Sequence, residues 1–535
     1  MKPNRQISDK SWRAKRLETT SGEHLFLLLT RNQWILAGIA GLVAALVFLP
    51  YYRLISPWLG VVAFMMGIII VHLRYASKFI IPFPHIAFLI AALQYVLAAW
   101  ASSYYPSDDP MHNIGSRLPE YLPFATLVLL ACAAGWGMGL VRMRIPARRA
   151  RVAVTPELLH TLDALLVLGL LCVLPARYTR QTNFGFLFLL LANLRYVAVY
   201  GRMVCQGPGW GWRLALVIAV QILFAARDAM FHSLILWGFW TFALWIFVFK
   251  PSWRIVLTAY VMALLLLPAL QEAKWKLREQ FGDEEMAGNT DSRSPLGNAS
   301  LWLSYMGEGF KKTFTGNLDK DSINGMLARY NQGWIVDKVM QHMGVNEPYA
   351  RGETLKDAFI AALVPRLFYP GKAVAASQLY MEKFAGIKLN EETAMGLGYA
   401  GEMYANFGYW GGIIGCGLYC LGFALLFRAV CIRAFVSPLW WAVMPYIGFA
   451  ALKAEDDVVG VVNWTSKACV IMVGVCFAFP AFRRALFPGQ GDRRQRAEGR
   501  SQRSEVEDQK LEGSGRSFSR PGRKHLGRFR RPLRN

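Results

Sequence analysis

Cysteine is missing from the part of this chain where a domain outside a membrane would use it. All eight cysteines, Cys172, Cys416, Cys420 and Cys476 among them, lie in or beside apolar runs, and none falls in the polar stretch 271–406. That distribution excludes a disulfide framework and offers no zinc-ligand spacing. Acid is scarce as well: 35 Asp and Glu stand against 59 Lys and Arg, a formal net charge of +24. Such an excess would suit a nucleic-acid binder. Here, however, the cations sit in short loops between apolar runs and in the two tails, which is how cytoplasmic loops of membrane proteins are marked. No internal repeat is visible, which argues against the paired halves common among transporters.

Hydrophobic length is what the chain has in abundance. Its residues are 54% hydrophobic and 13% aromatic, with a mean hydropathy of +0.28. Apolar runs of spanning length predict an all-α polytopic membrane protein with about twelve transmembrane helices, near 34–52, 55–73, 79–101, 121–141, 157–175, 184–201, 214–228, 230–249, 254–270, 407–427, 434–452 and 466–480. The chain then divides into a basic segment 1–33, a membrane domain 34–270, a large loop 271–406, a second membrane portion 407–480 and a basic tail 481–535. The first run is full length with no clean cleavage pattern behind it, so it reads as an anchor rather than a cleaved signal.

If the spans alternate, Lys2 to Arg16, Arg74 with Lys78, Arg142 to Arg151, Arg202 with Arg213, Lys250 with Arg254, and Arg428 with Arg433 all fall on one side, which predicts cytoplasmic termini. Loops 50–54, 102–120, 176–183, 271–406 and 453–465 then face outward. Arg53, Arg177 and Arg180 lie there against the trend, either as exceptions or as outward cations for an anionic substrate. The tail after Phe482 has no helical or strand period; it reads as disordered and suited to anionic lipid headgroups. Only Phe518 and Phe529 punctuate its arginines, which argues against RNA.

The outward block carries the chemistry. Residues 282–300 read as a loop, and Met326, Leu327, Tyr330, Trp334, Lys338, Val339 and Met343 make an apolar stripe that predicts a helix over 324–343. Thr354 with Asp357 predicts a cap for a helix Leu355–Val364 that Pro365 ends. Two prolines and a glycine then stiffen Pro365-Arg366-Leu367-Phe368-Tyr369-Pro370-Gly371-Lys372, whose Arg366 and Lys372 suit either a diphosphate or lipid headgroups. Glu402, in the glycine-rich run 396–412 about one turn outside the bilayer, is the strongest acid/base candidate; its alternative role is a helix cap. Arg227, Asp228 and His232 interrupt two apolar runs. On one helix Asp228 and His232 would share a face; otherwise they form the turn between two helices.

In these places the chain resembles the Wzy-type oligosaccharide repeat-unit (O-antigen) polymerases, relatives of the O-antigen ligases. The likeness covers about residues 200–430 and rests on Ala226-Arg227-Asp228 at a span end, the long outward loop, the Pro365-Arg366 turn with Tyr369-Pro370-Gly371-Lys372, and Gly401-Glu402-Met403-Tyr404 entering the next helix. It implies glycosyl transfer at the outer face of a bacterial inner membrane, with polyprenyl-diphosphate-linked oligosaccharides as donor and acceptor and no metal or other cofactor. A chain-length regulator and a flippase of the same pathway would be its partners. In that reading Arg227, Arg366 and Lys372 hold phosphate, Arg329 adds a sugar or phosphate contact, and Tyr369 and Tyr404 stack on sugars. Glu402 serves as base, with Asp228 or His232 as rivals.

Three alternatives stay open: an O-antigen ligase, a metal-dependent polyprenyl-phosphate sugar transferase, and a transporter. The second would carry acidic pairs in the first outward loop, but Pro50–Leu54 holds no acid, and Asp108-Asp109 reads as a turn. The carboxylates Glu455, Asp456 and Asp457 between the last two predicted spans keep an ion-coupled reading alive.

Overall fold

The computed structural model describes residues 23–24, 31–47, 57–103, 114, 117–145, 154–179, 182, 184–228, 231–286, 295–315, 327, 330–364, 378–389 and 395–488. Met1–Leu486 form one unit; of the second, Phe487–Asn535, only Phe487 and Pro488 are described. The helices are α1 (Arg31–Val47), α2 (Pro57–Ala76), α3 (Phe83–Ser102), α4 (Leu118–Leu140), α5 (Pro156–Tyr178), α6 (Gly185–Val204), α7 (Trp210–Asp228), α8 (His232–Phe249), α9 (Trp253–Met286), α10 (Pro295–Thr315), α11 (Gly333–His342), α12 (Glu353–Leu363), α13 (Gln378–Ala385), α14 (Gly398–Val436), α15 (Trp440–Ile447), α16 (Val458–Ala478) and α17 (Pro480–Leu486). A two-residue antiparallel pair joins Glu23–His24 to Arg144–Ile145.

Among the described residues nine helices, α2 to α8, α14 and α16, are long and apolar enough to cross a membrane. The protein is therefore an all-α, multi-pass membrane protein. The other three expected spans take different forms. The first is the 17-residue α1. Residues 254–270 belong to α9, a 34-residue helix that continues into the polar block. The continuous span expected over 434–452 is absent: α14 runs on to Val436, α15 has only eight residues, and a single 3-10 turn covers Ala450–Leu452. Pro438 and Gly448 stand at the breaks, while Pro445 lies inside α15. The non-helical backbone is sheltered, since Ser437, Leu439, Phe449 and Leu452 are all buried, as a bilayer requires.

Small residues bring the central helices together. A Cβ on Gly135 of α4 would run into the Gly417 carbonyl of α14, and one on Gly139 into Ala424, so the two backbones pack closely where lipid offers no hydrophobic push. Helix α14 is broken at Gly408 (φ 69°, ψ −162°), which separates 398–407 from the longer segment 409–436. The expected span start at residue 407 thus marks a break inside a helix that begins at Gly398. Carbonyls near the break are taken up by a neighbouring loop: the Ala350 N–H donates to Ala405 O (2.9 Å) and the Arg351 N–H to Asn406 O (3.0 Å).

The expected helix over 324–343 is interrupted: Leu327 and Tyr330 are helical, residues 331–332 are drawn to α3, and α11 begins at Gly333. There a π turn, Leu93–Leu97, widens the helix, and Gln94 O accepts the Gln332 N–H at 3.1 Å while Tyr95 O accepts the Tyr121 hydroxyl at 2.7 Å. Asn331 Nδ2 donates to Ser102 Oγ at 2.9 Å. Trp334, Val339 and Met343 of the stripe are buried, as the pattern predicts. Thr354 is not the cap of α12; that position is Gly352 in the left-handed region (φ 92°), and the Thr354 hydroxyl accepts from Asn406 Nδ2 at 2.7 Å.

Candidate functional site

A five-residue turn, Lys453 to Asp457, organises one end of the bundle. It follows the broken crossing and precedes α16, and helices from four parts of the chain converge on it. From α3, Gln94 Oε1 accepts the Ala454 N–H (3.3 Å), Gln94 Nε2 donates to Glu455 Oε2 (3.4 Å), and the Tyr95 hydroxyl donates to Ala454 O (2.5 Å). Asp457 Oδ1 accepts the Leu397 N–H just before α14 (2.6 Å). Gly396 and Gly398 are small by need: a Cβ on the first would meet Glu455 O and Asp457 Oδ1, and on the second Ala454 O and the Tyr95 hydroxyl.

Glu402 is fully buried, and its Oε2 accepts the Val458 N–H, the first donor of α16, at 2.7 Å. A carboxylate at that position meets the positive end of the helix. The expectation of a partly desolvated acid outside the bilayer is therefore replaced by a fully enclosed one that caps a different helix from its own. Asn406 of the same helix links it onward, donating to Glu402 O (2.8 Å) and to Thr354 Oγ1.

Glu455 differs from its neighbours because it reaches a base. Its Oε1 lies 3.7 Å from Nδ1 of His232, the first residue of α8, and Lys453 Nζ is 3.6 Å away. The His232 side chain is 38% exposed and the Glu455 side chain 17%, whereas Glu402 is fully buried; Nε2 of His232 is itself enclosed. Lys453 also binds Asp456 Oδ1 (2.6 Å). Burial pushes the Asp456 carboxyl up from its ordinary range, and the Lys453 charge and hydrogen bond pull it back. At 3.7 Å the two groups make an ion-pair contact when the imidazole is protonated, and such a pair is a candidate acid/base.

Asp228 and His232 do not share a helix face. Asp228 is the last residue of α7 and His232 the first of α8, so the chain turns between them. The Asp228 side chain lies outside the described residues. The turn is packed underneath, where Ala225, Ala226 and Phe231 form a core with Ala273, Leu277, Ala299 and Trp302, and Phe231 stacks on Trp302 at 5.2 Å. Helices α9 and α10 thus cover it from the polar block. Arg227 is half-buried there, one turn beyond Phe224, whose ring carries the Arg177 guanidinium at 5.7 Å. Arg177 therefore lies against α7 at a position one turn before Arg227.

Tyr404 is 8% exposed and packs edge-on against Phe124 (5.2 Å), a filling position between α14 and α4. Arg329, Arg366, Tyr369 and Lys372, together with Arg53 and Arg180, lie outside the described residues. Sequence reasoning overlooked Gln94 and Lys453. A glutamine inside an apolar span and a lysine two residues before three consecutive carboxylates were the signals that could have found them. Comparisons with protein-family models, curated proteins and solved structures found no match.

Proposed function

We propose that this protein is a membrane glycosyltransferase that joins polyprenyl-diphosphate-linked oligosaccharide repeat units at the outer face of a bacterial inner membrane. In this reading twelve crossings put both termini in the cytoplasm and the Lys453–Asp457 turn outside. The observation that carries it is the His232–Glu455 pair at the same end as Arg227 and the large polar block. His232, beside Glu455, takes the proton of the acceptor hydroxyl at Nδ1 as its oxygen attacks the anomeric carbon of the donor. The bond to the polyprenyl diphosphate breaks, and guanidinium groups such as Arg227 and Arg177 stabilise the charge that develops on the leaving diphosphate. Glu402 and Asp457 act as positioning residues that hold the turn.

The test uses purified full-length protein in lipid vesicles with a lipid-linked oligosaccharide and no nucleotide sugar or added metal. A ladder of lengthened products supports the reading. If the substrate returns unchanged while the protein remains folded, transfer is excluded for that substrate class. A second reading, ion-coupled transport, is favoured by the broken crossing that leads straight into an acidic turn. It predicts solute uptake that follows an imposed cation gradient, with no lengthened product.

A further inference from the structure

We propose that Arg195, halfway along α6, holds a monovalent inorganic anion of halide size, with the Gln221 amide as its second donor. The proposal stands apart from the transferase reading, because it concerns a charge enclosed among the spanning helices and not the groups at the Lys453–Asp457 turn.

Among the described residues two arginines are buried, Arg202 (4% exposed) and Arg195 (5%), and both lie on α6. Arg202 has Asp163 as its counter-charge. The partners of Arg195 are neutral: Nη1 donates to Ala192 O (3.1 Å), Nη2 donates to Gln221 Oε1 (2.6 Å), and Cζ lies 5.0 Å from the Tyr196 ring. The sequence explains why no acid reaches it. Between Tyr121 and Leu270 the acids are Glu157, Asp163 and Asp228. Glu157 binds Arg484, and Asp163 binds Arg202, which is seven residues or about 10 Å along α6 from Arg195. Asp228 ends α7, seven residues beyond Gln221. Helices α15 and α16, which also pack on α6, contain no acid. They add a cation instead, Lys467, whose Nζ lies 4.7 Å from the Phe186 ring near the start of α6.

Arg195 stands ten residues after Gly185 and nine before Val204, so about 14 Å of helix separates it from either end. Helix α5 closes over it, because Gly169 has no side chain: a Cβ there would meet the Arg195 backbone N at 2.5 Å. An ionised guanidinium enclosed at that depth requires an opposite charge, and neutral dipoles supply only part of the compensation. Donors remain to hold one. The Arg195 Nε is buried with no acceptor. Gln221 Oε1 accepts both from Arg195 and from the Tyr196 hydroxyl (3.2 Å), while its amide N–H groups have no acceptor among the described residues. A single guanidinium among apolar helices matches one small monovalent anion; a dianion would reverse the local charge.

Purified full-length protein in detergent, melted in sodium gluconate with increasing chloride at constant ionic strength, tests the site. Chloride should raise the melting temperature by about 3 °C and then saturate, because the anion binds the folded state alone. Arg195→Gln should melt at one temperature in both salts. A wild type indifferent to chloride, or a chloride shift that the variant retains in full, would overturn the proposal. The unmodified protein supplies a second measurement that needs no variant. Crystals grown in sodium bromide should show an anomalous peak within hydrogen-bonding range of the Arg195 guanidinium. Density there without bromide signal would refute the anion.

Discussion

The two ends of the helix bundle solve opposite electrostatic problems. At the end away from the Lys453–Asp457 turn, two guanidiniums share one carboxylate: Arg202 and Arg213 both bind Asp163, the latter through Nε at 2.8 Å. Arg202 adds bonds to the carbonyls of Leu159 (3.1 Å) and Pro208 (3.0 Å). At the Glu402 end the excess is acid. Glu402 and Asp457 each accept a backbone N–H, Asp456 binds Lys453, and Glu455 is the carboxylate that meets a partly exposed imidazole. Cations at one end are tied down by carbonyls and acids at the other by amides. A group that also faces a titratable partner, as Glu455 does, stands out from this structural background.

Three substitutions sharpen that contrast. His232→Gln should cause the largest change, a loss of ~10²- to 10⁴-fold in the lengthening rate at an unchanged melting temperature, read from the product ladder in vesicles. Asp163→Ala should leave activity per folded molecule intact but cost about 2 kcal/mol in stability. That is below the figure for a fully buried pair, because the Asp163 side chain is 35% exposed. Chemical unfolding in detergent measures it. Glu402→Gln should be milder, about 1 kcal/mol, since the amide oxygen still accepts the Val458 N–H. Its turnover should stay within about threefold of wild type. A hundredfold fall in turnover there, with stability intact, would return the role of base to Glu402 and reduce His232–Glu455 to a surface pair.

The membrane class was legible because apolar length is a local property: 55–73 and 121–141 are realised as Pro57–Ala76 and Leu118–Leu140. The polar block was also legible as helical, with Trp334 and Val339 on a buried face. What escaped depends on distant partners. The helix break before Gly333 arises from a π turn in α3, to which residues 331–332 bond. Glu402 was conspicuous as an acid near a span, but its role depends on Val458, brought to it by the fold. His232 and Glu455 were each noticed separately; nothing in their local context joins them. The proline and glycine breaks in 434–452 were visible, yet total hydrophobicity outweighed them in the sequence reading.

The smallest expected effect tests whether burial or pairing governs the acids of the polar block. Asp337 on α11 is 1% exposed, and it accepts from Arg117 Nε (3.1 Å) and Gln341 Nε2 (2.6 Å). Burial raises its carboxyl above the ordinary range, with the Arg117 bond and charge pulling the other way. When pH passes upward through 3.8, the ordinary aspartate value, the unfolded chain gives up this proton while the folded protein retains it. The folded state then binds more protons, so this group's contribution to stability falls as pH rises from there to the raised folded value. Asp337→Asn cannot titrate, and melting curves across that window should show wild type losing stability relative to the variant as pH increases. A wild type that instead gains on the variant would mean that Arg117 outweighs burial. Asp337 would then belong with Asp163, a carboxylate held ionised by its guanidinium, and the contrast between the two ends would not extend into the polar block.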